Sequence, residues 1–125
     1  MATVFRLTQA ESNLADIIWA NAPIQSPELA RIAEREFGWK RTTTYTILKR
    51  LCGKGVFSND DATVTAVLTR AEFLAGQSRR YVEDTFGGSL PSFITSFIGG
   101  GKLTSEQAME LRRLIDAYEE GGDNG

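Results

Sequence analysis

One change of hydrophobic period constrains this chain more than anything else. Three stretches of helical spacing come first, then a single β-branched segment of alternating spacing, then helical spacing again. The first helix opens on Thr8-Gln9-Ala10-Glu11, a hydroxyl at the N-cap with a carboxylate three residues on, and Ala10, Leu14, Ile17 and Ile18 form its apolar stripe before Asn21-Ala22-Pro23 ends it. The second opens on Ser26-Pro27-Glu28, with Ser26 as N-cap, carries Leu29, Ile32, Ala33 and Phe37, and stops at Gly38. The third is expected from about Lys40 to Cys52, with Ile47, Leu48 and Leu51 inward and Gly53-Lys54-Gly55 as terminator. The period then falls to two. Val56-Phe57-Ser58 and Thr63 to Leu68 read as the strands of a hairpin around an Asn59-Asp60-Asp61 turn.

Beyond the hairpin, Thr69-Arg70-Ala71-Glu72 is another capping box, opening a helix to about Phe86 that stops at Gly87-Gly88. Pro91 to Ile98 carries Phe93, Ile94, Phe97 and Ile98, which is too apolar for a free surface helix, and Gly99-Gly100-Gly101 breaks it. Thr104-Ser105-Glu106-Gln107 starts a last helix with Ala108, Leu111, Leu114, Ile115 and Tyr118, and Gly121 to Gly125 reads as a frayed end. No internal repeat is present.

Three helices followed by a hairpin is the order of a winged helix-turn-helix, so the expected fold is mainly α with a small β-hairpin wing. The expected domains are a winged helix over residues 1–69 and a helical dimerisation arm over residues 70–125. A three-helix core of that size is marginal alone, which is why the apolar C-terminal helices are expected to pack against a second copy, with Phe93, Ile94, Phe97, Leu111 and Leu114 at the interface.

Composition removes most alternatives. With no histidine, the chain has neither Ser-His-Asp nor Cys-His catalysis, and it lacks the usual ligands of catalytic zinc. The single cysteine, Cys52, forms no internal disulfide, which fits a reducing cytoplasm. Neither an apolar run long enough for a membrane nor a signal peptide at the start is visible. The expectation is therefore a cytoplasmic protein that is not an enzyme, with no cofactor, no metal and no membrane insertion.

The net charge of −2 conceals a division. Up to Arg70 nine basic residues face seven acidic ones, and from Ala71 onward five face nine. Lys40, Arg41, Lys49, Arg50 and Lys54 form a basic stretch with no acid between Gly38 and Asn59. Such a run is either a solvated helix face or a phosphate contact. With Ile47, Leu48 and Leu51 inward, the third helix turns Thr42, Thr43, Tyr45 and Thr46 outward for bases, while the five basic residues are placed for phosphates. Thr42-Thr43-Thr44 has a second reading as N-cap chemistry, and the winged helix has one as a protein-docking adaptor without DNA.

At these residues the chain resembles the penicillinase-repressor family of winged-helix transcriptional repressors. The likeness runs from Leu7 to about Tyr118. It rests on Leu7-Thr8-Gln9-Ala10-Glu11 through Ile17-Ile18-Trp19, on Arg41 to Leu51 followed by Lys54-Gly55, on Phe86-Gly87-Gly88-Ser89, and on Leu103-Thr104 with Glu110-Leu111-Arg112. The resemblance implies a homodimer that blocks transcription from a palindromic double-stranded operator, reading it with Thr42, Thr43, Tyr45 and Thr46, with Arg50 near the backbone. In β-lactam-responsive members a membrane sensor protease triggers cleavage in the short C-terminal helix. The corresponding bond is Ser96–Phe97, although those members carry Asn where this chain has Ser96. Copper-responsive relatives end in paired cysteines, which are absent after Cys52.

Smaller signals have ordinary explanations beside functional ones. Gly99-Gly100-Gly101-Lys102-Leu103 lacks the upstream glycine and the hydroxyl residue of a phosphate loop and reads as a hinge. Asp60-Asp61 fits a turn before paired catalytic carboxylates, and two acids with no base in the wing repel phosphate. Cys52 reads as a core filler before a redox sensor, and Trp19 and Trp39 as packing aromatics before base-stacking platforms.

Overall fold

The computed structural model of the protein describes residues 3–120. Its elements run α1 (Gln9–Asn21), β1 (Ile24–Gln25), α2 (Ser26–Phe37), α3 (Arg41–Gly53), β2 (Phe57–Asp60), β3 (Thr63–Ala66), α4 (Arg70–Phe86), α5 (Leu90–Ile98) and α6 (Ser105–Tyr118). They divide into two compact units, one ending at Tyr81 and the next starting at Val82. This packing break lies inside α4. Gly121 to Gly125, expected as a frayed end, lie outside the described residues.

The first unit is a mainly α winged helix-turn-helix, as its period pattern implies. Leu14, Ala15 and Ile18 of α1 meet Leu29 and Ala33 of α2 and Ile47, Leu48 and Leu51 of α3, with Val56, Phe57 and Val64 closing the core from the wing. Each large side chain removed from water there contributes roughly 1.5–3 kcal/mol. Trp19 lies between Phe57 and Phe73, at ring distances of 5.1 and 5.6 Å, and donates its indole N–H to the Leu68 carbonyl at 3.0 Å. It is a packing residue that pins the end of the wing. Trp39 packs on Phe37 at 4.9 Å.

The helix starts follow the chemistry of their first residues. Thr8 and Glu11, Thr69 and Glu72, and Thr104 and Gln107 each close a reciprocal capping box. Gly38, at φ +70°, ends α2 in the left-handed region. Ser26 departs from expectation. It is the first residue of α2, buried, with Gln25 at the N-cap and no side-chain cap. The cause is β1: Ile24 pairs with Val64 and Gln25 with Thr63, and the Ser26 N–H donates to the Ala62 carbonyl at 2.8 Å.

The wing is thus the edge of a three-stranded antiparallel sheet, ordered β1-β3-β2, and not a lone hairpin. Its turn lies later than expected. Asp60 still pairs with Thr63, leaving Asp61-Ala62 as a two-residue loop with φ of 53° and 66°, the geometry of a primed turn. The third strand ends at Ala66, because the N–H groups of Val67 and Leu68 both turn to the Val56 carbonyl.

In the second unit neither α5 nor α6 contains a buried residue. Phe93 lies 5.7 Å from Phe86 and 6.0 Å from Phe97, making a row of rings. Leu90, Phe97, Met109, Leu114, Ile115 and Tyr118 are all exposed, Phe97 at 73% and Tyr118 at 82%. Among the described residues no helix is long and apolar enough to cross a membrane.

Candidate nucleic-acid interface

Helix α3 is oriented by its inward residues. Thr44, Ile47, Leu48 and Leu51 are buried against α1 and α2, which leaves the opposite arc of the helix outside. On that arc Arg41, Thr42, Thr43, Thr46, Lys49 and Arg50 are exposed and Tyr45 is half-buried. Thr42, Thr43, Thr46 and Arg50 line one shallow open depression floored by Ile47. Tyr45 and Lys49, four residues apart and so neighbours on a helix, flank it on the other edge. Of the four residues expected to face bases, Thr42, Thr43 and Thr46 line this depression and Tyr45 does not.

The threonine run resolves into two roles. None of the three caps α3, because the N-cap residue is Lys40 and no side chain closes that end. Thr42 and Thr43 face out, whereas Thr44 is fully buried with its Oγ1 unpartnered among the described residues. Thr46 donates its hydroxyl to the Thr42 carbonyl at 2.9 Å, which leaves its oxygen as an acceptor and its methyl group for apolar contact.

The electrostatics of this end run against the rule for helices. An acid sits in the first turn of α1, α2, α4 and α6, as the positive end of a helix dipole prefers. In α3 that turn holds no acid, and Lys40 and Arg41 occupy the N-cap and first position. Unsatisfied N–H groups and two cations at one helix end repel each other and attract an anion. Among the described residues Lys40, Arg41, Lys49 and Arg50 form no ion pair, so four exposed cations surround the threonine face.

Lys54 is the exception among the expected phosphate contacts, because the fold puts its charge to another use. Its Nζ lies 2.5 Å from Glu11 Oε1 and donates to the Arg6 carbonyl at 2.8 Å. Glu11 is buried, and its Oε1 also accepts the Thr8 N–H at 2.9 Å. Burial pushes the Glu11 pKa up, but the Lys54 and Thr8 hydrogen bonds and the charges of Lys54 and Arg50 outweigh it and hold the group below its ordinary value. The capping-box reading identified Glu11 as the partner of Thr8. The 43-residue separation from Lys54 hid the second bond.

Cys52 is half-buried against the core, and burial raises its thiol pKa, the environment of a packing residue and not of a reactive thiolate. At the wing tip Asp60 and Asp61 are exposed. Of the residues expected at a dimer interface, Phe97 and Leu114 are exposed and Phe93, Ile94 and Leu111 half-buried. Leu90, Met109, Ile115 and Tyr118 are further exposed apolar side chains of α5 and α6. Ser96 and Phe97 are both exposed, within the last turns of α5. Among the described residues no group of three metal-ligating side chains is present.

These features coincide with the chain's relationships. Over 122 residues, 94% of this chain and 95% of the relative, it is 21% identical to the penicillinase repressor of Bacillus licheniformis. The sequence model of the penicillinase repressor family matches residues 7–117, which takes in the helix-turn-helix, the wing and both terminal helices. The chain belongs to the penicillinase repressor family, a family of transcriptional repressors and not of enzymes.

Proposed function

We propose that the protein is a homodimeric repressor that binds a palindromic double-stranded operator through α3. The observation that carries this reading is the uncapped, cationic start of α3 beside an exposed threonine face. A helix end that breaks the local rule for stability is accounted for when phosphate occupies it. Thr42, Thr43, Tyr45 and Thr46 face the bases, and Lys40, Arg41, Lys49 and Arg50 hold the phosphates. Lys54 serves the α3 terminus. The acidic wing tip contributes little to affinity, since Asp60 and Asp61 repel the backbone. Dimerisation is supported by the unburied apolar faces of α5 and α6 and by the family to which the chain belongs.

The division of labour is tested by two substitutions in the full-length protein, each measured on operator and on scrambled duplex across a salt series. Arg50→Ala weakens both duplexes and lowers the salt slope by about 0.9 for each phosphate that is no longer neutralised. Thr46→Ala weakens the operator selectively, by about 1–3 kcal/mol per base pair read. Equal loss on both duplexes from Thr46→Ala contradicts the assignment. Retention of neither duplex at any salt concentration favours a protein-docking adaptor instead.

Release by cleavage at Ser96–Phe97, carried out through a membrane sensor protease, is a further part of the proposal. It is supported by the exposure of both residues and by Gly99-Gly100-Gly101 directly after α5. A helical bond has to unwind before a protease can accept it, and three glycines at the helix end lower that cost. Resistance of residues 93–103 to every protease tried on the native protein contradicts this part alone.

A further inference from the structure

Gly76 stands in the interior of α4, where a glycine costs about 1 kcal/mol relative to alanine. A close approach explains it. A Cβ at this position would lie 2.2 Å from Cε1 and 2.3 Å from Cζ of Phe5, so the Phe5 ring fills the notch that the missing side chain leaves. The same ring packs on Phe73 of α4 at 5.6 Å, and Gln77 donates its side-chain amide to the Phe5 carbonyl at 3.1 Å. Three residues in two successive turns of α4 are therefore gripped by one residue of the segment that precedes α1.

That segment is also fastened at the far end of α3. The Val4 N–H donates to the Lys54 carbonyl at 2.9 Å, and Lys54 Nζ donates to the Arg6 carbonyl. Lys54 is the C-cap residue of α3. Residues 4–6 thus form a strap running from the end of the proposed recognition helix to the first turns of α4. Helix α4 continues without a break from the first compact unit into the second, which holds the proposed dimer surface. A dimer reads two half-sites at one separation only if each reading helix is held rigidly to the element that leads to the dimer contact.

We propose that Phe5, seated over Gly76, is a positioning residue that sets which separation of operator half-sites the dimer accepts. The inference rests on the repressor reading given above. Phe5 touches no base in this account. It acts through α4, and its loss widens the range of accepted separations without altering the half-site that is read.

The test uses full-length protein and duplexes carrying the selected half-sites at separations varied one base pair at a time. Wild type is expected to favour one separation over its neighbours by about tenfold or more. Phe5→Ala is expected to reduce that preference to about threefold or less, with binding to a duplex carrying a single half-site changed by less than about threefold. Gly76→Ala displaces the ring and is expected to act alike. Adding it to Phe5→Ala has little further effect, because the two residues form one contact. Should Phe5→Ala fail to fold, Phe5→Leu keeps apolar bulk but not the ring and is measured in its place. A uniform loss at all separations, with the preference intact, overturns the proposal and leaves Phe5 a stabilising residue only. A wild type that selects no paired half-sites overturns the repressor reading, and this inference with it.

Discussion

Thr44 Oγ1 is buried in the core without a hydrogen-bond partner among the described residues, and an unsatisfied buried hydroxyl is a liability of about 1–3 kcal/mol. Thr44→Val keeps the shape and removes the hydroxyl. It is expected to leave stability unchanged or to raise it by about 1 kcal/mol in chemical denaturation, and a clear loss would reveal a partner for that oxygen. Glu11 presents the opposite case, a buried carboxylate whose Oε1 accepts from both Thr8 and Lys54. Its pKa is lowered in the fold, so the stabilisation it provides is present above the unfolded value and is lost as pH falls through the folded value. Relative to wild type, Glu11→Gln is expected to flatten stability against pH in this acid range, and an unchanged profile would contradict the pairing. Lys54→Met strands the carboxylate and is expected to cost about 2–4 kcal/mol at neutral pH. Ala62, at φ +66°, adopts a backbone conformation that suits glycine, so Ala62→Gly is expected to raise stability by about 0.5–1 kcal/mol.

At the scale of elements the start of α3 lacks both a capping side chain and an acid in its first turn. Lys40→Asp would place a capping carboxylate where none exists, and it is expected to stabilise the fold by about 1 kcal/mol while weakening DNA binding at low salt. DNA affinity unaffected by this change would contradict the role given to that helix end. Most elements were legible because each announces itself locally: three capping boxes, Gly38 and the stripe Ile47, Leu48 and Leu51 all act within four residues of chain. The parts that escaped depend on distant partners. Two residues, Ile24 and Gln25, are too few to show alternation and become a strand only because β3 lies beside them. The wing turn shifted for the same reason, since the strand register and not turn propensity decides where β2 ends. Lys54 looked like its basic neighbours, yet a carboxylate 43 positions earlier in the chain claims it. The strap of residues 4–6 has no period at all, and the one local trace of it is a glycine inside a helix.

For the whole molecule, the distribution of charge and apolar surface matters more than the net charge of −2. Lys40, Arg41, Lys49 and Arg50 gather at one helix of the first unit, whereas neither α5 nor α6 of the second contains a buried residue. Phe97, exposed at 73%, ends the row of rings in that second unit. Phe97→Asp is expected to weaken self-association by on the order of 100-fold in sedimentation, with loss of binding to paired half-sites. A variant as dimeric as wild type would move the interface elsewhere. Reading of an operator by α3 as part of a dimer is tested by selecting bound duplexes from a random pool with the full-length protein and following their retention against salt. The expected result is an enriched palindrome of two half-sites about one helical turn or a multiple apart, released steeply as salt rises. Weak retention with no enriched sequence would contradict it.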